Sequence, residues 1–225
     1  MWRDRVALLH VEGNQSSHGK SSVEHIKIEA PPKGKIVPKV RSVRAAEAGD
    51  DDLLGLPDNV IGELVAGQLL TSPRPSGRHA FATSMLNDSL VPPFTKSFED
   101  DPRGWVFLFE PKLHLGTDVL VPDLAAWRRE RIPSVPVEAA IDLAPDWVGE
   151  ILSPSTARSD RVQKMPAYSK HDVEYLWLLD PIAETLEVYQ RESERWLLLA
   201  THGGNSVVRA APFDAIERGL DSLWA

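Results

Sequence analysis

The chain reads as a mixed α/β domain built around a central sheet. Three observations predict it. Apolar runs of strand length recur at WVFLFE (105–110), WVGEIL (147–152) and YLWLL (175–179). Before them, Phe81, Ala82, Met85, Leu86 and Leu90 fall on one stripe at helical spacing. After them, TLEVYQ (185–190) and RWLLLAT (195–201) form two more strand-like runs around a polar turn at 191–194.

The elements follow in order. Residues 1–48 contain SSHGKSS and PPKGKIVPKVRSVR. Such Pro-, Gly-, Ser- and Lys-rich sequence cannot build a core, so a disordered or loosely attached arm is expected, removable by limited proteolysis. The compact domain is expected over 49–225. Two short apolar runs in GELVAGQLL meet at Ala66-Gly67, which suits a hairpin. The helix from His79 to Leu90 should stop at Pro92-Pro93, because proline lacks the N–H that a helix interior needs. Asp118 to Val121 (DVLV) is a further strand, ended by Pro122. Ser159 to Lys170 should be helical, capped by Ser159 and kinked by Pro166. YLWLL should be the central strand, and the tail from Val207 a short helix or extended segment.

Composition limits the chemistry. The 225 residues contain no cysteine, which removes disulfides, thiolate catalysis and cysteine-ligated zinc. No apolar run reaches the ~18 residues that span a bilayer. The N-terminal MWRDRVALLHVEG has no signal-peptide cleavage pattern, so a cytoplasmic location away from membranes is expected. Residues 1–44 hold nine Lys/Arg and four Asp/Glu, net +5; the remainder holds 16 and 29, net −13. An acidic body argues against a broad nucleic-acid surface, since DNA affinity comes mainly from neutralising phosphates. Any such contact must be local.

Three residues carry the sharpest signal. Glu150 lies in the otherwise apolar WVGEILS. Period two places it on one strand face with Val148 and Leu152, where a carboxylate is expensive to bury without a compensating cation. Asp123 follows the proline that ends DVLV, so it is either a turn or capping Asp, common after Pro, or a strand-end carboxylate well placed to meet one on a neighbouring strand. Lys164 lies four residues after Asp160, on the same helix face. By spacing alone that pair is a surface ion pair. Together the three suggest more: two carboxylates can hold one Mg²⁺ while leaving positions for water and phosphate, and a lysine places a compact positive charge beside the reacting group.

Ordered motifs add to this reading. VPD (121–123), EILSPST (150–156), DRVQK (160–164), Tyr168 and EYLWLLDP (174–181) followed by TLEVYQ resemble the Uma-two family of restriction-endonuclease-like proteins, in the PD-(D/E)xK nuclease superfamily. ELVAGQL (63–69) and SPRPSGRHA (72–80) resemble that family's first hairpin and the start of its first helix. The resemblance implies a central mixed sheet flanked by helices, a Mg²⁺ site (with Mn²⁺ as substitute) and DNA as substrate. It assigns catalytic roles to Asp123, Glu150, Lys164 and Glu63, with Asp123 and Glu150 as metal ligands. The superfamily pattern wants lysine two residues after the glutamate, where this chain has Leu152; the resemblance supplies it from the following helix as Lys164. Homo-oligomerisation is left open. The rival class is a nuclease-fold domain without catalysis, acting as a binding or assembly module, which the acidic body and Pro166 favour.

Other readings are weaker. GNQSSHGKSS (13–22) looks like a phosphate-binding loop, but Gly13 and Gly19 enclose five residues where the motif needs four. No HExxH pair or GxSxG elbow occurs. His79 opens a helix near the supposed site and could contact phosphate, although a plain helix-entry role is the default. Arg128, Arg129 and Arg131 read by default as a solvated basic loop.

Overall fold

The computed structural model describes residues 48–95 and 104–224. The expected arm, with its phosphate-loop-like segment, therefore falls outside the described residues apart from Ala48.

A short helix α1 (Asp50–Leu54) leads into the hairpin β1 (Val60–Val65) and β2 (Gln68–Pro73). The two turn residues, Ala66 and Gly67, have φ of 50° and 74°. That left-handed pair matches the twist of a two-residue hairpin. The unfavourable Ala66 conformation is anchored by its N–H, which donates to Asp118 Oδ1 at 2.7 Å.

Helix α2 (Gly77–Thr95) follows, then β3 (Trp105–Phe109), β4 (Leu113–Leu115), β5 (Asp118–Leu120), β6 (Leu124–Arg128) and β7 (Trp147–Ile151). A continuous helical run then comprises α3 (Ala157–Ser159), a π turn (Asp160–Lys164) and α4 (Met165–Lys170). The chain closes with β8 (Tyr175–Asp180), β9 (Thr185–Glu192), β10 (Arg195–Gly203), the small pair β11 (Val207–Val208) and β12 (Arg218–Gly219), and a 3₁₀ turn at Asp221–Leu223.

The central sheet is six-stranded and mixed, in the order β10-β9-β8-β7-β6-β3, with β7 and β8 parallel and the other pairs antiparallel. A separate four-stranded sheet, β2-β1-β5-β4, carries the hairpin. The period-two reading of β7 holds. Trp147 and Ile151 join one core with α2 and the C-terminal segment, and Val148 and Leu152 join the other with β4, β5, Ala167 and Tyr168. Glu150 therefore points with Val148 and Leu152 to the side where the second sheet and the helical run pack.

Three local expectations are corrected. First, α2 runs through Pro92 and Pro93 to Thr95. Leu86 and Leu90 are buried in the core, and Phe94 just past the prolines packs at a tilt against Phe213 with ring centroids 5.0 Å apart. That packing offsets the missing N–H groups in the last turns. Phe81 is 41% exposed, so the buried stripe is narrower than its spacing implied. Second, the helical run starts at Ala157, and Ser159 does not cap it: its hydroxyl donates to Thr156 O. Ser153 and Thr156 instead satisfy each other, with Ser153 N–H donating to Thr156 Oγ1 at 3.3 Å and Thr156 N–H to Ser153 Oγ at 3.2 Å. Third, Pro166 is accommodated in the first turn of α4. The π turn before it bonds Met165 N–H to Asp160 O, five residues back, so the ladder restarts where proline needs no donor.

Gly149 is dictated by packing. A Cβ there would lie 2.6 Å from Trp147 Cη2 and 2.9 Å from Cζ2, and Trp147 is fully buried. Gly149→Ala should therefore cost ~1–3 kcal/mol, the range of overpacking a core. An unchanged denaturant midpoint would show that the indole can give way.

Candidate functional site

The register brings the acids together. Leu124 pairs with Gly149 across β6 and β7, so one further step along the antiparallel ladder sets Asp123 opposite Glu150. Asp123 sits where β6 begins, and its Oδ2 accepts the Ile151 N–H at 2.7 Å. Its Oδ1 lies 3.2 Å from His79 Nε2, at the start of α2.

Glu63 comes from β1 in the second sheet. It is buried, and its Oε1 accepts the Val121 N–H at 2.8 Å. The helical run packed on this side carries Lys164 at the end of the π turn. Its ammonium lies 2.7 Å from Glu150 Oε1, 3.1 Å from Glu63 Oε1 and 3.9 Å from Asp160 Oδ1, and donates to Val121 O at 3.4 Å. The i,i+4 pair with Asp160 is thus the loosest of its ion pairs, and it is buried. One turn on, the Tyr168 hydroxyl donates to Glu150 Oε1 at 2.5 Å. Both contacts fall on Oε1, so neither engages Oε2.

Glu63, Asp123, Glu150, Asp160, Lys164 and His79 line one cavity of about 260 Å³. The three principal candidates and Glu63 thus share a single pocket. Four carboxylates face one ammonium, a formal charge of −3, or −2 if His79 is protonated. Burial pushes the Glu150 carboxyl well above its ordinary range; Lys164 opposes this, while Asp160, Asp123 and Glu63 add to it. Burial also raises Asp160 to about 6, again against Lys164. For Lys164, burial would lower the pKa, but Glu150, Glu63, Tyr168 and Asp160 outweigh it and hold the ammonium well above its usual value. His79 follows the same logic more mildly: burial lowers it, and the hydrogen bond and charge of Asp123 prevail.

Among the described residues, no three His, Asp or Glu side chains are gathered into a ready-made metal cage. The ammonium sits within the acid set instead. The donor chemistry still suits a hard divalent cation: the groups are oxygen anions in excess of the available positive charge.

Two of the site's groups were underread from sequence. His79 contacts Asp123, beyond merely opening a helix. Its place after the Ser- and Pro-rich loop of SPRPSGRHA was the available signal. Asp160 looked like a surface partner because spacing says nothing about burial. In the other direction, the arginine cluster lies outside this pocket, in and beside a partly solvated turn, and is ion-paired. Arg128 pairs with Asp146 and Glu174, each at 2.7 Å, and lies over the Trp105 ring, while Arg131 reaches Asp146 at 2.9 Å.

A family model described as "Uma2: Putative restriction endonuclease" matches residues 50–220. Among solved structures, the chain is similar to "a putative nuclease belonging to DUF820 from Anabaena variabilis ATCC 29413". The TM-score is 0.62 at 24% identity, over 77% of this chain and 96% of that one, which bears on the fold. No curated protein matches. No described helix is long and apolar enough to cross a membrane.

Proposed function

From the premise that this chain belongs to the Uma2 family, we propose that it is a metal-dependent endonuclease that hydrolyses DNA phosphodiester bonds. The observation that carries the reading is the buried Lys164 ammonium, held between Glu150 and Glu63 in a cavity shared with Asp123 and Asp160. A buried lysine among so many acids has a simpler structural alternative, a neutral core, and the chain does not take it. Such charge is costly to bury and suits a site that handles charged reactants.

In this reading Asp123 and Glu150 hold Mg²⁺ or Mn²⁺. When bound, the ion lowers the pKa of its water and offsets charge growing on the phosphate. The chain's own groups prepare the site. Ile151 N–H fixes Asp123, and the Tyr168 hydroxyl fixes Glu150. Lys164 stays protonated at neutral pH, because its neighbours raise its pKa. Beside the scissile phosphate it would orient or activate the attacking water. Glu63 holds the ammonium from the second sheet.

The test is plasmid cleavage with Mg²⁺ or Mn²⁺, wild type against Glu150→Gln. Glu150→Gln keeps the shape and removes one negative ligand, so metal binding and turnover should fall together, turnover by roughly 10²-fold or more. If the wild type cuts no DNA with either ion, a binding or assembly role replaces this reading.

A further inference from the structure

The acidic cavity continues into a second one. Ser76, His79, Ser153 and Pro154 line both, and the neighbour has a volume of about 310 Å³. Its chemistry differs. Leu152, Pro154, Pro181 and Ile182 supply apolar walls, Arg78 supplies a cation, and among the described residues the lining holds no carboxylate.

Ile182 is the unusual wall. It is 59% exposed, on the turn between β8 and β9, and it belongs to neither core. The turn is held firmly: Asp180 Oδ1 accepts the N–H groups of both Ile182 and Ala183 at 2.9 Å. An apolar side chain is thus presented to water at a fixed place beside the acids. Arg78, also exposed, has no ion pair with another described residue.

We propose that this second cavity receives the nucleobase next to the scissile phosphate, so that the substrate is DNA with an unpaired nucleotide at the cut. The proposal rests on the nuclease reading above and specifies its substrate. A cavity of this size is at the lower end of small-ligand sites, ~300–1,000 Å³. A base stacked in a duplex cannot enter a recess; it must be single-stranded or turned out of the stack. Apolar walls accept the face of any base, which gives binding without sequence preference. Arg78 is placed to meet the neighbouring phosphate.

The experiment uses the full-length protein with Mg²⁺ or Mn²⁺ and one fluorescein-labelled DNA sequence in three forms. These are a single strand, a perfect duplex, and a single strand made abasic at the mapped cleavage nucleotide. Wild type and Ile182→Ala are compared; an exposed turn side chain can be shortened without emptying a core. The single strand should be cut about 10-fold faster than the duplex. The abasic strand should show a KM about 10-fold higher, within the range of losing one base contact. Ile182→Ala should raise KM several-fold on the intact strand, keep kcat, and leave the abasic strand unchanged.

Equal cleavage of intact and abasic strands would overturn the proposal and leave the nuclease reading standing. So would an Ile182→Ala effect that is absent, or the same on both strands. Failure of the wild type to cut any of the three would remove the nuclease reading and this inference with it.

Discussion

Lys164→Met should lower DNA-cleavage turnover by roughly 10²-fold or more, the scale of losing one electrostatic stabiliser. Methionine keeps most of the aliphatic bulk and removes the charge. Metal affinity should hold or rise, because the ammonium, 2.7 Å from Glu150, repels a divalent ion. This separates Lys164 from Glu150, whose glutamine variant should lose metal binding and turnover together. Without metal the methionine variant should be less stable, since Glu63, Glu150 and Asp160 lose their shared cation. Mg²⁺ should therefore raise its Tm more than that of the wild type. Isothermal titration and thermal melts with and without Mg²⁺ read both effects. Cleavage at the wild-type rate would reduce Lys164 to an ion-pair partner and end its catalytic assignment.

Trp147→Ala should cost ~3–5 kcal/mol, the range for truncating a large buried aromatic residue. Trp147 is fully buried on β7, with Trp177 5.4 Å, Phe213 5.3 Å and Phe107 6.2 Å from its ring centre. These rings tie three strands of the central sheet to the C-terminal segment, so their loss should loosen the strand that carries Glu150. Its indole N–H has no hydrogen-bond partner among the described residues. Trp147→Phe removes that unmet donor and keeps a ring, so it should cost clearly less than alanine. It should also relieve part of the Gly149→Ala penalty, because that clash is with the outer indole carbons. Denaturant midpoints of the single and double variants test both expectations. A phenylalanine variant as unstable as the alanine one would show that indole shape, more than burial, holds the sheet.

The legible parts of the fold were those encoded over short spans. The Ala66-Gly67 turn, the alternation in WVGEIL and the apolar YLWLL run each carry their own periodicity or turn chemistry, and all appear as expected. The missed parts lacked such local marks. β4 is only three residues long, Leu113–Leu115, and β6 hides in LAAWR, whose small alanines give no strong alternation. The prolines misled in both helices because propensity counts a lost N–H without counting the packing or the π turn around it.

For the candidate site, the sequence by itself determined the residue types and their order: an acid at a strand end, an acid inside an apolar strand, a lysine on the following helix and an acid in the first hairpin. Glu150 stood out because it breaks an apolar strand and Asp123 because it follows a strand-ending proline, whereas Lys164 and Glu63 were marked only by the resemblance of the ordered motifs. Only the tertiary structure decided that Glu63, from a second sheet, meets Lys164. It also decided that Asp160 is buried, and that His79 bonds Asp123. Each of these depends on which elements pack face to face. Packing joins residues far apart in the chain, and no local periodicity records that partnership.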